Sequence, residues 1–354
     1  MPASIFARLR EHLARFVASG GDVIPLQIGD THLAPPAGAE VASGPEIFAY
    51  GAPAGWQPLI DAIDARGQAV QITCGATHAL SCALQALCDP GDEVLLLSPH
   101  WPLIRGIALG QNLVPTQVAY DGDLEAAITP QTTAIYFATP NNPDGAMLSA
   151  ARVAEIAALA ERHDLWILAD EVYEHYAYDA PHVSVAGLVP ERTVTVFSFA
   201  KSYALAGLRV GYLLSAPRVV ETIRKLVNHS VYNVPVATQR TALAAMRAGS
   251  IASAGDGFLA MARERYRSAR DRARAALVAP CALPPGGAYL WVDLRRWGGG
   301  DCIEVLARIA EQGVLLAPGH AFGAAYGGFA RLCFTGVDEA RLDEGIARIN
   351  RVLS

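Results

Sequence analysis

Five short apolar runs divide the middle of this 354-residue chain, at 93–98, 134–139, 166–169, 194–197 and 210–215. EVLLLS and AIYFAT are nearly continuous in apolar residues and do not alternate with polar ones. That pattern fits strands covered on both faces. The segments between them carry helical patterns at 78–88, at 149–163 with Ser149 as N-cap, and at 217–226. Strand–helix alternation restricts the chain to an α/β fold, with a mainly parallel sheet covered by helices. Past residue 257 the pattern changes. An Arg-rich helix at 258–278 precedes the strand-like AYLWVDL, a helix at 302–312, the strand-like GVLLAP and FARLCFTG, and a last helix from Asp338. This later part is a smaller α+β unit. The N-terminal SIFARLREHLARFVASGG is an amphipathic helix ending at Gly20-Gly21, read as a first helix or packing arm.

Composition removes several function classes. At 52% hydrophobic and 18% charged, the chain has the makeup of a buried globular core. A net charge of −6 offers no basic surface, so no nucleic-acid partner is expected. The apolar runs fall far short of the roughly 20 residues that cross a bilayer, so no membrane role is expected. The six cysteines form no CxxC pair and the nine histidines no HExxH, so no metal site is expected. Scattered thiols fit a reducing cytoplasm.

Of 28 basic residues only Lys201 and Lys225 are lysines. Lys201 sits in the apolar run TVTVFSFAKSYALAGLRVGYLLS, where an ordinary surface lysine is not expected. An amine with a lowered pKa can be neutral and nucleophilic, which a guanidinium cannot. Ligands in open α/β sheets bind beyond the carboxyl ends of the strands. Polar residues follow the apolar runs there: His100-Trp101, Asn141-Asn142, Asp170 with Tyr173, and Ser198 with Lys201. Each has an ordinary structural explanation alone, as a cap, a turn or a core residue. Their joint placement at strand ends points to one crevice.

Thr73-Cys74-Gly75-Ala76-Thr77 leads directly into a helical pattern. A glycine turn at a helix N-terminus presents free N–H groups to an anion, and phosphate is the natural ligand. Arg209 could add a bidentate charge. A lysine, a phosphate site, a carboxylate, a phenol and a stacking indole together suggest pyridoxal 5'-phosphate.

The motifs CGATHAL, SPHW, TPNNPDG, ADEVYEHY, SFAKSYALAGLRVGY, PPGGAYLWVDL, APGHAFG and ARLCFTG occur in that order. With them the chain resembles the class I/II aminotransferases, fold-type I pyridoxal-phosphate enzymes of the aspartate aminotransferase superfamily. The resemblance runs over nearly the whole sequence. It implies a large cofactor-binding domain over 37–243 and a small domain over 244–354. Residues 1–36 would form an arm and part of the small domain. It implies that Lys201 is the Schiff-base lysine and proton shuttle, and that Asp170 partners the pyridinium nitrogen. Tyr173 and Asn142 would donate to the phenolate oxygen. Ala76, Thr77, Ser198 and Arg209 would bind phosphate, and Trp101 would stack on the ring. Tyr50 would reach the phosphate of a neighbouring subunit, which implies a homodimer. Arg331 would clamp the substrate α-carboxylate, with Gly29 against the substrate. The implied reaction is amino transfer from an α-amino acid to a 2-oxo acid by a ping-pong route. A lyase, cyclase or oxidase on the same cofactor is the alternative. The cofactor and Arg209 are expected to lower the Lys201 pKa.

The chain departs from the family pattern in places. Ala200 stands where many members carry a hydroxyl, and the stretch between Pro36 and Tyr50 is short. Thr77 and His78 fall where some dicarboxylate-specific relatives have a lysine. No arginine occurs at 226–235, which supplies a side-chain carboxylate clamp in other relatives. Both points weigh against aspartate or glutamate as the preferred donor.

Overall fold

The computed structural model describes residues 12–14, 16–18, 20–250 and 257–354. The N-terminal amphipathic helix therefore lies largely outside the described residues, although 12–14 and 16–18 are helical. The large sheet has seven strands: β2 (Ala69–Thr73), β3 (Glu93–Ser98), β4 (Val114–Ala119), β5 (Thr132–Ala138), β6 (Trp166–Asp170), β7 (Thr193–Ser198) and β8 (Gly211–Ser215). Their order is β2-β8-β7-β6-β5-β3-β4, and only β8 runs against its neighbours. All six residues of β3 are buried, and alternate ones belong to different cores. Val94 and Leu96 pack under helices α1 (Gly75–Leu87) and α3 (Pro217–Val231). Leu95 and Leu97 pack on the opposite face under α2 (Ala150–His163). Period-two side-chain geometry with helices on both faces explains why the run reads as continuously apolar. The Ser149 side chain accepts from the Arg152 N–H, as expected of an N-cap.

Several boundaries differ from the sequence expectation. Helix α1 begins at Gly75, three residues ahead of the apolar pattern, because the glycine turn already belongs to its first turn. Helix α3 continues to Val231, beyond residue 226, on the strength of Val227 buried beneath it. GVLLAP is two strands, β10 (Val314–Leu315) and β11 (Ala317–Pro318). Strand β10 pairs in parallel with β1 (Ile24–Pro25), so the N-terminal segment joins the C-terminal part. Strands β11, β12 (Phe329–Cys333) and β9 (Tyr289–Asp293) make a three-stranded antiparallel sheet. Ile24 and Leu26 share one buried core with residues of β9, β12 and the last helix, Glu339–Leu353.

Candidate active site

Register brings the strand ends together. Ala138 lies opposite Asp170 at the ends of β5 and β6, and Ser198 lies opposite Gly211 across β7 and β8. A Cβ on Gly211 would come within 2.6 Å of the Phe197 carbonyl and 3.0 Å of Gly75 Cα. This close approach sets the turn into α1 directly beside the end of β7. Gly75 itself takes φ +79, and a Cβ there would lie 2.8 Å from Arg209 Nη2. The result is a cradle of helix N–H groups with a guanidinium across it. Ser198 completes the rim, its Oγ accepting from Ala200 N–H.

These elements enclose a cavity of about 230 Å³. Ala76, Thr77, Ser198 and Arg209 of the cradle line it, and so does Trp101. Asp170, Tyr173, Asn142 and Lys201 line it as well, with Gly29 and Arg331. Of the residues predicted for the site, Tyr50 alone lies away from the cavity in this chain. It is 86% exposed and meets Tyr232 edge to face, with ring centroids 4.9 Å apart.

Two adjacent carboxylates have opposite surroundings. Glu171 is buried but well matched: Val185 N–H donates to it, His182 bonds to it at 2.9 Å, and Arg66 lies 3.8 Å away. Asp170 is equally enclosed but receives only the Tyr136 hydroxyl at 3.1 Å and a long Val172 N–H contact at 3.4 Å. Burial pushes its carboxyl up from 3.8 to about 6, with those two donors opposing. Among the described residues this carboxylate makes no salt bridge, Lys201 being the cation that acts on it from a distance, and it is suited to receive a cationic ring N–H. The donor set thus fits pyridoxal phosphate at both ends, through the helix cradle and through Asp170.

Burial also lowers the Lys201 amine, and this is the largest cause. Arg331 and Arg209 add to the lowering, while Cys333 and Asp30 oppose it. The Arg209 contribution is the one expected from the sequence, and desolvation, which the sequence does not display, exceeds it. The Lys201 ammonium donates to the Gly29 carbonyl, and its backbone carbonyl accepts from the Tyr176 hydroxyl at 2.8 Å. Arg331 donates to Asn142 Oδ1 at 2.7 Å and to the Gln27 carbonyl at 2.6 Å. The first bond orients the Asn142 amide and leaves its Nδ2 as the free donor. Arg331 Nε is buried without a partner, and the guanidinium lies 4.2 Å from the Tyr289 ring centroid. Tyr289 lines the cavity and was absent from the sequence reading. Its only sequence signal is its place in PPGGAYLWVDL, where it reads as one more buried strand aromatic.

The family model for aminotransferase class I and II matches residues 36–349. The chain belongs to the class I and II aminotransferases. This aminotransferase is 33% identical to the aspartate/prephenate aminotransferase of Thermus thermophilus over 294 residues, 80% of this chain and 74% of the relative. It is 32% identical to an arginine–pyruvate transaminase of Pseudomonas aeruginosa over 349 residues, 90% of this chain and 87% of the relative. Its fold superimposes on a single mutant of the aspartate aminotransferase of Thermus thermophilus with a TM-score of 0.87 at 28% identity, covering 99% of this chain and 97% of the other. The α/β architecture read from the apolar runs is that of this family. Among the described residues no helix is long and apolar enough to cross a membrane.

Proposed function

We propose that this aminotransferase uses pyridoxal 5'-phosphate held at Lys201 and moves the amino group of an α-amino acid to a 2-oxo acid by a ping-pong route. The observation that carries this reading is the presence in one cavity of a desolvated Lys201 amine and a buried Asp170 carboxylate that makes no salt bridge. Pyridoxal phosphate supplies an aldehyde carbon for an amine and a ring that takes up the electrons released at the substrate Cα. Asp170 holds the ring N–H. Tyr173 and the Asn142 amide donate to the phenolate oxygen, and Trp101 covers the ring. Ala76, Thr77, Ser198 and Arg209 hold the phosphate. Arg331 grips the α-carboxylate in bidentate fashion, against Gly29. Lys201, neutral when freed, takes the Cα proton at Nζ and returns it.

The cationic side chains lining the cavity are Lys201, Arg209 and Arg331. Each has a task in this reading, so no spare cation awaits a side-chain carboxylate, and the preferred donor is an amino acid other than aspartate or glutamate. The exposed Tyr50 serves the phosphate of a second copy, which supports a homodimer. The β1–β10 pairing supports a small unit made of 1–36 and 244–354 beside a large unit of 37–243. Six free cysteines support a cytoplasmic setting. The test is a half reaction. Single amino acids added to cofactor-loaded protein should shift its visible absorption and release one equivalent of 2-oxo acid. A panel in which no amino acid does so overturns the reading.

A further inference from the structure

The hydroxyls of Tyr173 and Tyr289 lie 2.5 Å apart, with the rings edge to face at 81°. Both side chains are buried, at 3% and 1% exposure, and both line the cavity. A tyrosine hydroxyl carries one proton. If Tyr173 spends its proton on the cofactor, the proton between the two oxygens must come from Tyr289. The surroundings of Tyr289 favour that direction. The Arg331 guanidinium lies over its ring at 4.2 Å, and a cation there makes the phenol a better donor. Burial, the largest influence, raises both phenols, and Cys333, the register partner of Tyr289 on β12, and Asp170 raise Tyr289 further. Gly29 keeps the space open: a Cβ there would lie 2.0 Å from the Tyr289 hydroxyl oxygen.

We propose that Tyr289 is a positioning residue: its hydroxyl donates to Tyr173, turning the Tyr173 proton toward the cofactor's phenolate oxygen, while its ring carries the Arg331 carboxylate clamp. One side chain thus links the cofactor's oxygen to the substrate's carboxylate. The inference rests on the reading of this cavity as a pyridoxal-phosphate site. A donor to the phenolate stabilises negative oxygen, which makes the neighbouring nitrogen linking Lys201 to the cofactor easier to deprotonate. Losing Tyr289 as donor weakens Tyr173, so that nitrogen holds its proton to higher pH.

The test is a pH titration of visible absorption on pyridoxal-phosphate-loaded protein. It compares the wild type with Tyr289→Phe, Tyr173→Phe and the double variant. Tyr289→Phe keeps the ring under Arg331 and removes only the hydroxyl. Its midpoint should rise by on the order of half a pH unit, the scale of one neutral hydrogen bond. Tyr173→Phe should raise it further, and adding Tyr289→Phe to that background should change nothing. Gly29→Ala, which displaces the Tyr289 hydroxyl from the other side, should move the midpoint in the same direction. An unmoved midpoint in Tyr289→Phe, or an equal shift with Tyr173 absent, overturns the proposal. Wild-type protein that shows no visible band with pyridoxal phosphate fails the cofactor reading instead.

Discussion

Lys201 and Asp170 are both enclosed ionisable groups, and burial moves each toward its neutral form. For Lys201 that is the working state, since only a neutral amine can take a proton. For Asp170 it is a cost that a cationic ring nitrogen removes. In cofactor-free protein the Asp170 carboxyl titrates at about 6 against an ordinary 3.8. The folded state therefore holds a proton that the unfolded state has lost across this window. Its stabilising contribution is complete below the lower value and is lost as pH rises through the upper one. The penalty is on the order of 2–3 kcal/mol. Asp170→Asn should thus make cofactor-free protein more stable than wild type near pH 8 by about that amount, with no gain near pH 4. Urea midpoints at the two pH values check this, and equal differences at both would contradict it. The same substitution should lower kcat of the loaded enzyme by several orders of magnitude.

At the scale of elements, the proposed function assigns phosphate binding to the turn from β2 into α1. Gly75→Ala places a Cβ at positive φ and against Arg209. The backbone cost is roughly 1–2 kcal/mol, and cofactor affinity should fall at least tenfold, read by absorption titration of cofactor-free protein. Unchanged affinity would contradict the role of this turn. Elements also show why some of the fold was legible and some was not. The central strands were read because helices cover both faces, leaving uninterrupted apolar runs. Edge strand β4 was not: its VPTQVA has no buried residue and carries Pro115. Edge strand β2 was obscured by Gln71, a buried amide satisfied by the Pro53 and Ile72 carbonyls. Site residues at strand ends were readable because polar residues interrupt apolar runs there. Tyr289 was not, because it is an aromatic inside an apolar strand and its hydroxyl partner is 116 positions away. The β1–β10 pairing is two residues per strand, too short for any periodicity.

At the scale of the whole molecule, the account requires two copies. Tyr50 and Tyr232 form an exposed aromatic pair outside this chain's own cavity. If Tyr50 serves the neighbouring site, a mixed dimer of a Tyr50→Ala copy and a Lys201→Ala copy carries both lesions in one site and leaves the other intact. Refolding the two variants together should restore activity well above either alone, because one site in each hybrid keeps its own Lys201 and the other copy's Tyr50. Activity equal to the average of the two variants would contradict the shared site. The central claim, that Lys201 carries the cofactor, has a more direct measurement. Protein loaded with pyridoxal phosphate is reduced with borohydride, digested, and its peptides are weighed. The account expects loss of the visible band and a pyridoxyl-phosphate mass on the peptide containing Lys201, with neither seen in Lys201→Ala. A label on Lys225, or none anywhere in a loaded wild type, would contradict it.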